Sequence, residues 1–245
     1  MSFPKNKKVL FKKSFEFPCS YIDGKLEKRL YIDIKSSNKK ELFVEELTRN
    51  GFRRNYDHMY IPICTDCSLC ISSRINIKNF VFSKNSKRNV KNNSDLIFEE
   101  KGKSFRDSEE RYKLFLKYCS FKHHESSMGK MNFRQFEGFF YNSINNSMVY
   151  DLKNKENVIY ASVLVDVIGN GYSAVYSFYD PEKQSRSLGK NIILNLVKIL
   201  KSKNKEYLYL GYWVKTCRKM DYKILFDSIE LFVNGKWVSK EILDF

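Results

Sequence analysis

No apolar run in this chain approaches the roughly 20 residues needed to span a bilayer, so a membrane-spanning role is not expected. The first residues, MSFPKNKKVLFKK, are basic but contain neither an apolar centre nor a small-residue cleavage site, which excludes a secretory signal. Acidic residues are in short supply: 28 Asp and Glu face 44 Lys and Arg. No strongly amphipathic basic helix with an apolar insertion face accompanies that imbalance, so a membrane surface is a poor match for the charge. Cysteines number only six, and in a reducing cytosol they are expected as thiols or metal ligands rather than disulfides. The expected location is cytoplasmic.

What is present is a folding composition with a large charge. A chain of 245 residues that is 42% hydrophobic and 16% aromatic has enough apolar material for one or two cores. The net charge of +16 has two readings. One is a generally Lys- and Asn-rich proteome. The other is a polyanionic partner, because Lys and Arg gain affinity by displacing counterions from phosphates. RNA is the polyanion favoured, and no DNA partner is expected.

In the N-terminal half, Phe15–Cys19 and Leu30–Ile34 read as strands around an Asp23-Gly24 turn. Asn38 with Glu41 marks a helix start and Asn50-Gly51 its stop. Phe52–Ile61 reads as a strand or hairpin bent at Tyr56-Asp57. Cys64-x-x-Cys67-x-x-Cys70 follows, a spacing that lets a short loop aim several sulfurs at one metal or cluster, with Cys19 as a fourth ligand. Packing of these cysteines as small apolar residues is the alternative. Lys84, Lys87, Arg88 and Lys91 recur at i, i+3, i+4 and i+7, so a helix aligns them in one cationic stripe. That stripe is either a solvated face or a phosphate-binding one, and no acidic residue interrupts 83–94. Tyr112, Phe115, Leu116 and Cys119 share the core face of a helix opened by Asp107 and Glu110; His123 and His124 after it are assigned no role.

The C-terminal half is organised around 172–223. Met148–Leu152, Val158–Ile168 and Tyr172–Tyr179 read as three strands, the last two joined by the Gly169-Asn170-Gly171 turn. Asp180-Pro181 ends the third strand and starts a polar loop carrying Arg186, Ser187 and Gly189. Ile192, Ile193, Leu196, Val197 and Leu200 then recur at helical spacing, and Tyr207–Trp213 is a further strand. A strand-to-helix loop of this kind meets anions with free backbone N–H groups. Gln135–Ile144 is left open between helix and strand, and Cys217 reads as structural.

The strings SFYDP, RSLG, YLYLGYW and CRKMDYK resemble the C-terminal half of the bacterial aminoacyl-tRNA–protein transferases, most closely the aspartate/glutamate leucyltransferase branch of the arginyl-tRNA–protein transferase family. FPCSYIDG at 17–24, the block from Asn50 to Cys70 and SKNSKRNVKNNSDL at 83–96 agree with that resemblance in family order. It implies an α/β (α+β) chain: a smaller Cys-containing N-terminal α+β domain over 1–125 and an acetyltransferase-like (GNAT) aminoacyl-transfer domain over 126–245. Only Arg186-x-x-Gly189 survives of the glycine-rich pattern of that fold, with Asn191 in place of a second glycine.

The activity implied is transfer of leucine from Leu-tRNA to proteins with N-terminal Asp or Glu, marking them for N-degron degradation, with no cofactor required for the step. Asp180 is the candidate for orienting or deprotonating the amine, or else a turn aspartate before proline. Arg186, Ser187, Gly189 and the Lys84, Lys87, Arg88, Lys91 stripe are candidates for tRNA. Tyr212 or Trp213 is a candidate to stack on the terminal adenosine, although some residues of that run must be core. Arg53, Arg54, Arg218 and Lys219 are candidates for the acceptor carboxylate, which needs a cationic partner if buried. In eukaryotic relatives the N-terminal cysteines are associated with an iron–sulfur cluster; here Cys19 stands where they carry a CxxC pair, and a cluster or zinc at Cys19, Cys64, Cys67 and Cys70 is the corresponding expectation. Three alternatives remain: an arginyl donor, an acyl-CoA-dependent N-acyltransferase, and a non-catalytic RNA-binding module.

Overall fold

The computed structural model describes residues 10–34, 40–102, 107–122, 127–141 and 146–243. Asn38, His123, His124, Ile144 and the expected boundary at 125/126 lie outside them. Along the chain run β1 (Lys12–Lys13), β2 (Phe17–Pro18), β3 (Leu26–Glu27), β4 (Arg29–Asp33), α1 (Lys40–Arg49), β5 (Arg53–Asn55), β6 (His58–Pro62), β7 (Cys70–Asn76), α2 (Lys84–Asn92) and β8 (Ile97–Gly102). Then follow α3 (Ser108–Lys122), α4 (Phe133–Phe140), β9 (Ser147–Lys153), β10 (Ile159–Ile168), β11 (Gly171–Tyr179), α5 (Leu188–Ser202), β12 (Tyr207–Val214), β13 (Ile229–Val233) and β14 (Lys236–Ser239). No helix among the described residues is long and apolar enough to cross a membrane.

An eight-stranded mixed sheet in the order β14-β13-β7-β12-β11-β10-β9-β8 forms the centre. β9, β10 and β11 are antiparallel neighbours, and α5 then returns the chain so that β12 lies parallel to β11. Three antiparallel strands, a loop, a helix and a parallel strand make the acetyltransferase-like arrangement expected from the sequence. β7 and β8, which precede residue 125, are members of this sheet, and α2 packs against α5. A four-stranded sheet, β1-β4-β6-β5, covers one end.

The alternation along β10 explains how both faces of the sheet are covered. Ala161, Val163 and Val165 join Leu188, Ile192, Leu196 and Leu200 of α5 in one core. Leu164 points the other way, to Phe115 of α3 and Phe136, Phe139 and Phe140 of α4, because strand side chains alternate with period two. The segment left open in the sequence is thus α4, whose Asn132 and Gln135 form a reciprocal capping box.

Two buried ion pairs cross between layers. Arg111 of α3 meets Asp151 of β9 with both groups fully buried, and Asp151 also accepts from Ser162 Oγ at 2.8 Å. Arg54 of β5 makes a two-pronged contact with Asp166 of β10 at 2.6 and 2.9 Å. Removing one partner strands a charge in the interior, which costs about 3–5 kcal/mol. Asp151→Ala is therefore expected to lower unfolding free energy by about that amount in denaturant titrations; a loss within ~0.5 kcal/mol, the range of surface changes, contradicts the role assigned to this pair.

Candidate active site

β11 and β12 are hydrogen-bonded only over Gly171–Ser173 and Tyr207–Tyr209. At this closed end the backbones touch: a Cβ on Gly171 would stand 1.9 Å from the Tyr207 carbonyl oxygen, so only glycine fits. Beyond it β11 stays with β10 as far as Tyr179, while β12 stays with β7 as far as Val214, and the two part. The β12–β7 register shifts between Tyr209 and Gly211, and Gly211 has φ +71°. Such an irregularity bends the strand that carries it.

Arg53 enters this gap from β5. Its Nη2 donates to the carbonyl oxygen of Val175, on the β11 wall, at 3.0 Å. Its guanidinium lies against Gly211, where a Cβ would come within 3.1 Å of Nε. Burial disfavours the Arg53 charge, but Tyr21, Tyr60, Tyr212 and Tyr222 more than offset that and hold its pKa above the usual value. Lys223, 3% exposed, sits in the 3-10 segment that follows β12 and donates to the Tyr212 carbonyl oxygen at 2.6 Å. Burial, and then Arg53, push its pKa well down. Burial raises Tyr222 to about 12, opposed by Arg53, although the residue as a whole is 45% exposed. A cavity of about 10 Å³, bounded by Phe52, Arg53, Ser72, Tyr209 and Gly211, adjoins the guanidinium; it has room for about one water.

At the end of β11, Asp180 caps the 3-10 turn over Pro181–Arg186. Oδ1 accepts from the Glu182 N–H at 3.1 Å and from Lys117 Nζ at 2.8 Å. Asp180 is thus both a turn aspartate and a half-buried carboxylate beside the gap. Ser187 has a left-handed backbone (φ +48°) and makes no side-chain cap to α5. Gly189 lies against the Tyr179 ring, 3.0 Å from where its Cβ would be.

The cationic stripe forms as the spacing predicts. Lys84, Lys87, Arg88 and Lys91 are exposed on α2, while Ser86 and Asn89 are buried on its other side. Asn89 Nδ2 donates to the carbonyl oxygens of Arg186 and Ser187 at 3.1 and 3.3 Å, and Asn191 Nδ2 donates to Asn89 Oδ1 at 3.0 Å. Arg186 itself reaches Asn93 Oδ1 at 3.0 Å, the Asn92 carbonyl and the Asp95 carboxylate. The stripe and the Arg186–Gly189 loop are therefore neighbours, and the Arg186 guanidinium is occupied in joining them.

Several expectations change. Tyr212 and Trp213 are 1% and 3% exposed, so neither offers a face for stacking. The Tyr212 hydroxyl instead donates to the Tyr60 carbonyl at 2.8 Å. Arg54 is spent on Asp166, whereas Arg53 enters the gap. Arg218 and Lys219 are exposed on the segment that carries Lys223. Lys223 was missed because burial along a 3-10 segment has no periodicity to read, and one lysine among 44 basic residues carries no signal.

Cys19, Cys64 and Cys67 surround Cys70 closely enough to add to the burial that raises its pKa to about 12. Four sulfurs are a suitable soft donor set. As placed they do not converge: among the described residues no group of three or more His, Cys, Asp or Glu could hold a metal ion. No step is assigned to a metal or cluster.

Among solved structures, FemX is similar with a TM-score of 0.47 and 7% identity, covering 83% of this chain and 79% of its own. A relative from Saccharophagus degradans named aspartate/glutamate leucyltransferase is 34% identical over 91% of this chain and 93% of its own. One of the same name from Pseudomonas aeruginosa is 36% identical over the same shares. Residues 17–88 match the family model described as "Arginine-tRNA-protein transferase, N terminus", and 110–233 match the one described as "Arginine-tRNA-protein transferase, C terminus". With the two models together matching most of the chain, it belongs to the arginine-tRNA-protein transferase family.

Proposed function

We propose that this protein transfers leucine from Leu-tRNA to the α-amino group of proteins beginning with Asp or Glu, in the cytoplasm, marking them for N-degron degradation. The observation that carries the reading is the gap between β11 and β12, which opens beside the loop leading into α5 and takes in Arg53, a guanidinium with no carboxylate partner among the described residues. The names of the relatives supply the donor and the acceptors.

The chemistry asks little of the protein. The aminoacyl ester is already activated, and an α-amine with a pKa of ~7.7–8.0 is partly neutral at physiological pH. The amine nitrogen attacks the ester carbonyl carbon, the bond to the ribose oxygen breaks, and that oxygen leaves with a proton as the amide forms. What is needed is alignment, a proton acceptor and stabilisation of the oxyanion. Asp180, steadied through Oδ1, presents its second oxygen to the incoming amine. The first-turn N–H groups of α5, with Ser187 and Gly189, receive the 3′ end of the tRNA, and Arg186 holds that loop in place. α2 meets backbone phosphates, a contact that positions without reading sequence. The step requires no cofactor. The family description favours an arginyl donor as the second reading.

Offering Leu-tRNA and Arg-tRNA with peptides beginning in Asp, Glu or Lys tests the assignment. Leucine on Asp and Glu peptides alone is expected; arginine without leucine transfers the conclusion to the second reading, and use of an acyl thioester with neither tRNA overturns both. Lys87→Glu with Arg88→Glu is expected to weaken tRNA binding and to shrink the slope of log affinity against log salt by about 2; unaltered affinity removes α2 from the interface. Asp180→Asn is expected to slow single-turnover transfer roughly 100-fold while tRNA affinity holds; an unchanged rate leaves Asp180 as a turn cap only.

A further inference from the structure

Tyr179 ends β11 one residue before Asp180, and two consecutive residues of α3 hold the two of them. Lys117 pairs with Asp180 at 2.8 Å. Tyr118 packs edge-on against the Tyr179 ring, with centroids 4.9 Å apart, and the two hydroxyls are hydrogen-bonded. The Tyr179 ring also presses on Gly189 in the first turn of α5, 3.0 Å from where a Cβ would stand. Tyr222, on the 3-10 segment after β12, is near enough to interact electrostatically with both phenols. Three tyrosines from three elements thus gather at the open end of the gap. A phenylalanine at 179 would pack on Gly189 equally well, and a half-buried hydroxyl is costly unless it is used.

The direction of the Tyr118–Tyr179 bond decides what Tyr179 can do. Burial raises the pKa of Tyr179 and the bond to Tyr118 lowers it, so Tyr118 is the donor. Burial first, and then the neighbouring phenols, raise Tyr118. Tyr179 therefore keeps its proton at neutral pH, and that proton points away from Tyr118. Among the described residues nothing accepts it. If the proton leaves, the phenolate is met by the hydrogen bond from Tyr118.

Aminoacyl transfer has a place for such a donor. When the tetrahedral intermediate collapses, an alkoxide is a poor leaving group unless it is protonated as it departs. With the 3′ end of the tRNA at Ser187, Gly189 and the first turn of α5, the ribose oxygen lies beside the Tyr179 ring. We infer that Tyr179 is the general acid of the transfer, giving its hydroxyl proton to the departing ribose oxygen, and that Tyr118 positions it for that step. The inference rests on the transfer reading. The proton count closes within the site. Asp180 takes a proton from the amine as the carbon–nitrogen bond forms, and the ribose oxygen takes the proton of Tyr179 as the carbon–oxygen bond breaks. The carboxylic acid left at Asp180 then returns a proton through water to the Tyr179 phenolate, and both groups are restored. α3 thereby sets base and acid together, through Lys117 and Tyr118.

Single-turnover transfer from Leu-tRNA to a peptide beginning in Asp, followed against pH with the full chain, tests the assignment. Uncatalysed ester hydrolysis is measured alongside, and tRNA affinity and melting temperature are recorded for each protein. Tyr179→Phe, which keeps the ring against Gly189, is expected to slow transfer roughly 100-fold while affinity and melting temperature hold. A ring-fluorinated tyrosine in place of Tyr179, a stronger acid of nearly the same shape, is expected to keep transfer at neutral pH and to bring the alkaline fall in rate to lower pH. Tyr118→Phe removes the hydrogen bond that favours the phenolate and is expected to move that fall to higher pH. A Tyr179→Phe protein as fast as the wild type overturns the general acid alone. So does one whose slowness comes with lost tRNA affinity or a lower melting temperature, or a fluorinated protein with an unchanged pH profile. An alkaline fall unmoved by Tyr118→Phe overturns the positioning role of Tyr118. A wild type that transfers from neither Leu-tRNA nor Arg-tRNA overturns the transfer reading, and the general acid with it.

Discussion

The structure depends on two neighbouring strands that cannot stay paired. β11 and β12 share a ladder over three residues each and then follow different partners, β10 and β7. Parting leaves strand-edge carbonyls inside the protein, and buried backbone groups have to find partners. At two places that duty falls to long cationic side chains, Arg53 at Val175 and Lys223 at Tyr212. The solution satisfies the backbone where the sheet opens, and burial there pushes Lys223 toward its neutral form.

The N-terminal layer exists in relation to that opening. β5 delivers Arg53, and the next residue, Arg54, fastens the same strand to Asp166 of β10. Neighbouring strand residues point to opposite sides, so one arginine is anchored and the other projects into the gap. β7 lies between β12 and β13, and Tyr212 reaches the Tyr60 carbonyl of β6. The described residues up to Asn76 are thus not an appendage to the transfer fold; β7 completes its sheet and β5 brings Arg53 into the gap. On the other flank, Asn89, Asn93 and Asn191 replace apolar packing between α2 and the α5 loop by a hydrogen-bonded contact. Amide side chains at that contact fix one geometry, since each must satisfy donors and acceptors in defined directions, and the exposed side of α2 is thereby held at a set angle to the loop.

Particular elements show where sequence reading succeeds. α5, the α2 stripe, the hairpin bent at Tyr56-Asp57 and the strands β9 to β12 follow from period, turn residues and propensity, all of which act within one segment. The stripe predicted from Lys84, Lys87, Arg88 and Lys91 is a solvent-facing stripe because the helix is real and Ser86 and Asn89 take the inner side. Reading failed where a residue's fate is set by a distant segment. Arg53 and Arg54 are adjacent in sequence, yet one faces a carbonyl 122 residues away and the other a carboxylate 112 residues away. Tyr212 and Trp213 had the aromatic surface expected of a stacking platform, but both sides of their strand are covered and they became core.

The sequence by itself determined the family, the basic character, the order of strands and helices around 172–223, and which helix face carries charge, because each of these is written in composition or in short-range spacing. Only the tertiary structure decided that β7 joins the transfer sheet, that β11 and β12 separate, and that Arg53 reaches across from Gly211 to the Val175 carbonyl. Those outcomes depend on which distant backbones hydrogen-bond to one another, and no local period encodes that choice.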